Sequence, residues 1–407
     1  MIGGELEAAA LAALDRDALV ADAAALVQVP SVTGEERAVM ERFAELAAAR
    51  GLEVAVSEYD LATLRTDPAY PGEETARTEL LGVTARVPGR APGAPRLCLN
   101  GHLDVVAAGD ESWALGPWSG AVRAGELHGR GAADMKGAVA AALHAAAAIG
   151  AAGGAGGEVV VQAVASEEDG GLGTFAALQA DADFAACLIP EPTSFDVACA
   201  QAGALTFSGV VPGVAAHAAM RLEGISAIDR YVAIHGALAA LETKLNTAVE
   251  HPLMRDLPLA YPVSVGRLSA GRWSSSVPDR LEFEGRVGVP VGAEPAAVRA
   301  RLEAVVHDAC PEARIGWTGG AFDPGETPAA HPFARLVLEA TGDELGQSAR
   351  AVGVPYGADM RLFCARGIPC VMVGPPGLDQ AHATDEHVSI DALHRLARIL
   401  VCVIARF

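Results

Sequence analysis

From Glu5 to Arg50, apolar residues recur at helical spacing with one interruption, VPSVTGEE, so the pattern predicts two helices at the start of the chain. Within the interruption Ser31 or Thr33 is placed to cap the second helix. Glu35 or Glu36 suits its first turn, where a carboxylate meets the positive end of the helix dipole. Residues 58–79, YDLATLRTDPAYPGEETARTEL, are polar and proline-bearing and read as a surface loop ahead of the strand LLGVTARV. RLCLNGHLDVV is a short buried strand whose C-terminal end carries His102 and Asp104. Residues 132–149 read as a helix, 158–165 as a strand ending at Ser166-Glu167-Glu168, and 184–189 as a strand ending at Glu191. Three successive strands thus deliver imidazole or carboxylate groups at their C-terminal ends, the place where open α/β sheets bind ligands.

Near residue 205 the pattern changes to alternating strands, LTFSGVV and later RLEFEGRVGV, around helical stretches at 226–243 and 294–308. This predicts a small α+β unit, 205–320, inserted into a larger α/β domain made of 1–204 and 321–407. After the loop GGAFDPGETPAAHPF the larger domain resumes with ARLVLEATGDEL, the strand IPCVMVG and a last helix from Ser389, and His382 lies in this returning segment. A chain of 407 residues is too long for one ordinary core, which fits two domains. AAGGAGGE reads as a flexible connection between helix and strand.

Composition narrows the partners. Thirty basic against 51 acidic residues give a net charge of -21, which argues against nucleic-acid backbones and anionic membrane surfaces. Seven cysteines lie mostly in apolar runs without CxxC spacing and read as reduced, buried residues of a cytoplasmic protein. The N-terminus carries acidic residues where a signal peptide needs a basic start, and the alanine runs are too short and too interrupted for a membrane span.

Taken singly, the candidate site residues have ordinary structural explanations; their number and placement change that. His102, Asp134, Glu168 or Glu167, Glu191 and His382 supply two imidazoles and three carboxylates, enough for two divalent metals if one carboxylate bridges. Asp134, in GRGAADMKGA, is the best bridge, with ligands on either side of it in sequence. Asp104, two residues beyond His102 in an extended segment, is placed to hold that ring's second nitrogen. The side chains of Glu167 and Glu168 diverge, so one can bind a metal while the other faces a water as general base.

The stretches NGHLDVV, WALGPWSGAVRAGELHGRGAADMKGA, ASEEDGG, EPTS, GVAAHAA, SVPDRLEFEGRVGV, YGADMRLF and AHATDEHV resemble, in order and across most of the chain, the co-catalytic metallopeptidases. That family includes acetylornithine deacetylase, succinyl-diaminopimelate desuccinylase, aminoacylase-1 and glutamate carboxypeptidase. The resemblance implies a zinc-peptidase-like catalytic domain, a mixed sheet with helices on both faces, carrying an inserted dimerisation or lid domain. It implies that His102 and Glu191 complete one metal site with bridging Asp134, that Glu168 and His382 complete the other, and that Asp104 orients His102. Glu167 is then the general base, and the Asp134-Met135 peptide is expected to be cis.

His217 matches a histidine that reaches the active site of the partner subunit in a homodimer and steadies the oxyanion. Arg286 matches a position that binds the substrate carboxylate. Gly357, Asp359 and Arg361, with 374–377, are expected to shape the substrate pocket. Two divalent ions are implied, zinc first, with cobalt or manganese able to use the same ligands.

The implied activity is hydrolysis of the amide bond of an N-acyl amino acid; a dipeptidase or carboxypeptidase with the same site is the alternative. A non-catalytic binding protein is disfavoured because no ligand, base or orienting residue is replaced. Departures fall elsewhere. Ser275-Ser276 precede the VPD segment where many relatives carry an asparagine, and Ser269-Ala270-Gly271 stands where paired glycines are expected, so both bear on substrate choice.

Overall fold

The computed structural model describes residues 2–407, which divide into two compact units: 2–199 with Glu326–Val352 and Ala358–Phe407, and Ala200–Gly325 with Gly353–Gly357.

The larger unit is built on a mixed sheet. Its strands run in the order Glu53–Glu58, Leu81–Val87, Val159–Val164, Leu97–His102, Ala186–Ile189, Cys370–Met372 and Val197–Gln201. Leu97–His102 lies parallel to both Val159–Val164 and Ala186–Ile189, so the C-terminal ends of all three emerge at one edge. Every residue of these strands is buried, as expected when helices cover both faces of a parallel sheet. Gly137–Ala151 is mostly alanine and almost wholly buried, since small side chains let a helix approach its neighbours closely. It packs against the amphipathic helix Ile390–Arg406.

Three local readings need correction. The opening stretch holds three helices, Ile2–Ala13, Arg16–Val27 and Arg37–Ala49. The first break comes at Asp15, whose carboxylate accepts the amide of Ala18 at 3.0 Å and starts a new helix although the apolar spacing continues. Asp15→Ala is expected to cost about 1 kcal/mol, read as a lower urea midpoint at unchanged slope.

Second, neither Ser31 nor Thr33 caps Arg37–Ala49, which begins at Glu36 without a side-chain cap. Ser31 Oγ donates to the Leu103 carbonyl at 2.6 Å and Thr33 Oγ1 to the Asp104 carboxylate at 3.1 Å, so both serve the His102 strand end. Third, residues 58–79 are not simply a surface loop. They contain a helical turn, Leu61–Leu64, and the buried Arg77.

The smaller unit has a four-stranded antiparallel sheet in the order Val263–Ala270, Arg280–Val289, Gly203–Pro212 and Arg314–Phe322. Along Gly203–Pro212 burial alternates residue by residue, because one face packs against Ala227–Asn246 and Pro295–Ala309. Residues 353–357 belong with this unit: the Gly353 amide donates to the Leu253 carbonyl at 3.1 Å, and Gly357 packs on the Phe322 side chain so closely that a Cβ would lie 2.5 Å from it.

All seven cysteines are free. Among the described residues no helix is long and apolar enough to cross a membrane.

Candidate metal centre

Two clusters of potential ligands form at the C-terminal edge of the large sheet, and they share Asp134. In each of His102–Asp134–Glu191 and Asp134–Glu168–His382, one donor atom per residue lies within 4.8 Å of the others. His102 Nε2 is 3.1 Å from Asp134 Oδ1 and 4.0 Å from Glu191 Oε1. On the other side His382 Nε2 is 3.1 Å from Glu168 Oε2 and 3.8 Å from Asp134 Oδ2. Asp134 therefore turns one oxygen toward each cluster. Separations of this size are near those between donors that each sit ~2.0–2.2 Å from a common ion.

Asp134 reaches this position because residues Ala132–Lys136 depart from the α-helix expected there. They form a single wide turn in which the Asp134-Met135 peptide is cis, and the regular helix starts at Gly137. Glu386 clamps that turn, Oε1 accepting the amides of Ala133 at 2.9 Å and Asp134 at 3.1 Å, while Oε2 accepts from Arg130 at 2.8 Å. Lys136 is buried beneath it and donates to the Val29 carbonyl at 2.7 Å. Glu386, Arg130 and Lys136 carry weight that the sequence reading did not assign. Their signal was present in HGRGAADMK and TDEH, but their partners are distant in sequence.

Asp104 acts differently from the simple orienting role expected of it. His102 Nδ1 lies 2.9 Å from the Asp104 main-chain carbonyl, which fixes the proton on that nitrogen and turns Nε2 toward the acids; the Asp104 carboxylate is farther away at 3.6 Å. That carboxylate accepts the amides of Glu167 and Glu168, each at 3.2 Å, and so holds the turn that carries them. The turn is sharp, with Ser166 at φ 65. It is braced on its far side by Arg77, 3.3 Å from Asp169 and 3.2 Å from Glu36. Glu191 is similarly supported: a Cβ on Gly374 would lie 2.2 Å from the Glu191 carbonyl oxygen, so this contact admits only glycine.

The chemistry of the donor set fits divalent cations. Burial, reinforced by the charge of Asp134, pushes Glu191 up to about 8, and burial pushes Asp104 up to about 7. Burial also raises Glu167, with Asp359, Glu191 and Glu168 adding to the effect. Carboxylates crowded together in a buried site call for positive charge, and metal ions supply it. Because groups this far raised hold protons near neutral pH, metal binding is expected to release protons. Calorimetric titrations in buffers of different ionisation enthalpy at pH 7 should detect that release.

The remaining predicted residues are placed as follows. Arg361 is buried and donates to the carbonyls of Ala358 at 3.0 Å and Gly170 at 2.7 Å, which ties the segment after Glu168 to the 358–361 turn. His217, Arg286 and Gly357 lie on the second unit. His217 is exposed and its Nδ1 accepts the amide of Ala219 at 3.2 Å, while Arg286 stands on Arg280–Val289 with its guanidinium 5.6 Å from the Phe322 ring centroid.

Residues 98–406 match the family model described as peptidase family M20/M25/M40. The chain belongs to that family. It is 30% identical to a succinyl-diaminopimelate desuccinylase of Gluconacetobacter diazotrophicus, with 94% of each chain covered. It is 27% identical to an acetylornithine deacetylase of Photorhabdus laumondii, over 78% of this chain and 81% of that one. Its fold is similar to that of an M20-family metallo-carboxypeptidase from Sulfolobus solfataricus, with a TM-score of 0.76 at 15% identity, covering 95% of this chain and 98% of the other. As a member of the M20 family the chain is a hydrolase of amide bonds.

Proposed function

We propose that this M20 hydrolase removes the acyl group from an N-acylated amino acid, using two divalent ions on either side of Asp134 and Glu167 as general base. The observation that carries this reading is the sharing of Asp134, one oxygen to each cluster. The named activities of the two relatives direct the choice of substrate. His102 and Glu191 would hold one ion, and Glu168 and His382 the other. Bound there, such ions supply Lewis acidity toward a carbonyl oxygen and make water a better nucleophile near neutral pH.

The chain's own residues account for the proton's path. Glu167 takes a proton from the water that attacks the amide carbon and returns it to the departing nitrogen, giving a carboxylate and a free amine. Burial favours the first half of that cycle, because it makes the carboxylate a stronger base than an exposed glutamate. Arg286 offers a guanidinium fork to the substrate carboxylate. Arg361 would shape the substrate pocket while its guanidinium, which donates to the Gly170 and Ala358 carbonyls, braces the base-bearing turn.

The second unit is proposed to pair with a second copy, which would bring His217 to the oxyanion. Its exposed apolar side chains Met220, Leu222, Ile228, Val232 and Trp273 offer apolar surface for that partner to cover. Zinc is the expected metal, and the free cysteines agree with a reducing cytoplasm.

Turnover of N-acetyl and N-succinyl amino acids, compared with dipeptides, tests the reading. The expected result is a higher kcat/KM for the acylated amino acids; preference for dipeptides would replace it with a dipeptidase. A chelator should abolish activity and Zn2+ or Co2+ restore it, whereas full activity after metal removal would refute the metal assignment.

A further inference from the structure

Away from Asp134, a second set of metal-type ligands stands on a different ladder. Strand His387–Ser389 pairs antiparallel with Glu126–His128 and places His387 directly opposite His128. Side chains two apart on a strand share a face, so Glu126 and His128 project together, and the cross-strand neighbour His387 joins them.

The distances agree with that register. Glu126 Oε2 lies 3.8 Å from His128 Nε2, Glu126 Oε1 lies 3.8 Å from His387 Nε2, and the two imidazole centroids are 5.3 Å apart. These two carboxylate–imidazole separations are too long for hydrogen bonds and close to the ~3.4 Å between donors that each sit about 2.1 Å from a tetrahedral ion, but the three donors do not all lie within 4.8 Å of one another as those around Asp134 do, so the rings must turn to meet on one ion.

The histidine tautomer is also set. His387 Nδ1 is 2.9 Å from the Asp385 carbonyl, which holds the proton there and leaves the Nε2 lone pair toward Glu126. His102 is arranged in the same way, with Nδ1 on a main-chain carbonyl and Nε2 toward carboxylates. The three side chains line a cavity of about 330 Å³, together with Trp113 and Asp385, so a bound ion would keep room for water or a small ligand.

We propose that Glu126, His128 and His387 form a separate transition-metal site, for Zn2+, Cu2+ or Ni2+, that shares no residue with the Asp134 clusters. Two imidazoles and one carboxylate suit those ions better than Mg2+ or Ca2+. The donors converge less tightly than those around Asp134, so slight turns of the rings accompany binding and this site fills last.

Equilibrium dialysis of the full-length protein against excess free Zn2+, read by elemental analysis, tests the proposal. The double variant His128→Gln/His387→Gln should retain one ion fewer per chain than the wild type while hydrolysing substrate normally. Equal metal content in the two proteins would overturn it, whatever the Asp134 clusters hold. If the double variant fails to fold, each single variant is expected to weaken the last-bound ion at least tenfold, and unchanged affinity in both would equally refute the site. A complementary reading is the Cu2+ resonance spectrum of Zn2+-loaded protein: nitrogen splitting from two imidazoles is expected in the wild type, and its persistence in the variants would contradict the assignment.

Discussion

Glu167→Gln is expected to lower kcat by roughly 10²- to 10⁴-fold, the usual contribution of a positioned general base, while metal content and KM change little. The substitution keeps the size of the side chain and the amide that donates to Asp104, so the turn remains in place. What is lost is the ability to take a proton from water and return it to the leaving nitrogen. Steady-state kinetics with metal analysis on the same sample separate this from loss of the ions. Wild-type kcat in a fully metal-loaded variant would remove Glu167 from the mechanism. Asp104→Asn makes a useful comparison, because its carboxylate supports the amides of both Glu167 and Glu168 and its loss should disturb metal binding and kcat together.

Arg77→Met should produce the largest loss of stability, about 3–5 kcal/mol, the cost of leaving buried charges without their partner. The Arg77 side chain is 0% exposed, against 4% for Glu36 and 5% for Asp169. Asp169 also accepts the Thr75 amide at 2.9 Å and a hydrogen bond from Ser166, so the same arginine links the 58–79 segment to the turn bearing Glu167.

The pH dependence follows from Glu36, whose carboxyl burial raises even with Arg77 beside it. A carboxylate raised in the folded state costs stability above its folded pKa, and the cost disappears as pH falls toward its unfolded value. Removing Arg77 increases that cost, so the deficit of the variant should shrink between pH 7 and pH 5. Urea unfolding at the two pH values measures it; a constant deficit would show that packing, rather than unpaired charge, dominates. Partial recovery of stability in Arg77→Met/Glu36→Gln would support the same cause.

Much of the larger unit was legible because its chemistry sits where periodicity is strongest. Continuous apolar runs marked the three central strands, and their parallel pairing carries His102, Glu167-Glu168 and Glu191 to one edge. Asp134 was legible through its motif, but the wide turn that presents it was not, since helical spacing runs straight through 132–149. Helix starts failed for a related reason. Asp15 starts a new helix where the apolar pattern runs on through it, while Ser31 and Thr33 look like caps and instead bond the strand end around Leu103 and Asp104.

The supporting residues were hardest to find. Arg77 meets Glu36 and Asp169 across 41 and 92 residues of sequence, and Arg130 meets Glu386 across 256, so only the folded chain reveals these pairs. A polar segment such as 58–79 reads as solvated until its one buried arginine is seen.

Anomalous diffraction at the zinc edge, on crystals grown with Zn2+, is the most direct test of the dinuclear centre. Around Asp134 two peaks about 3.5–4 Å apart are predicted, one beside His102 and Glu191 and one beside Glu168 and His382. A single peak at Asp134, or none, would contradict the account.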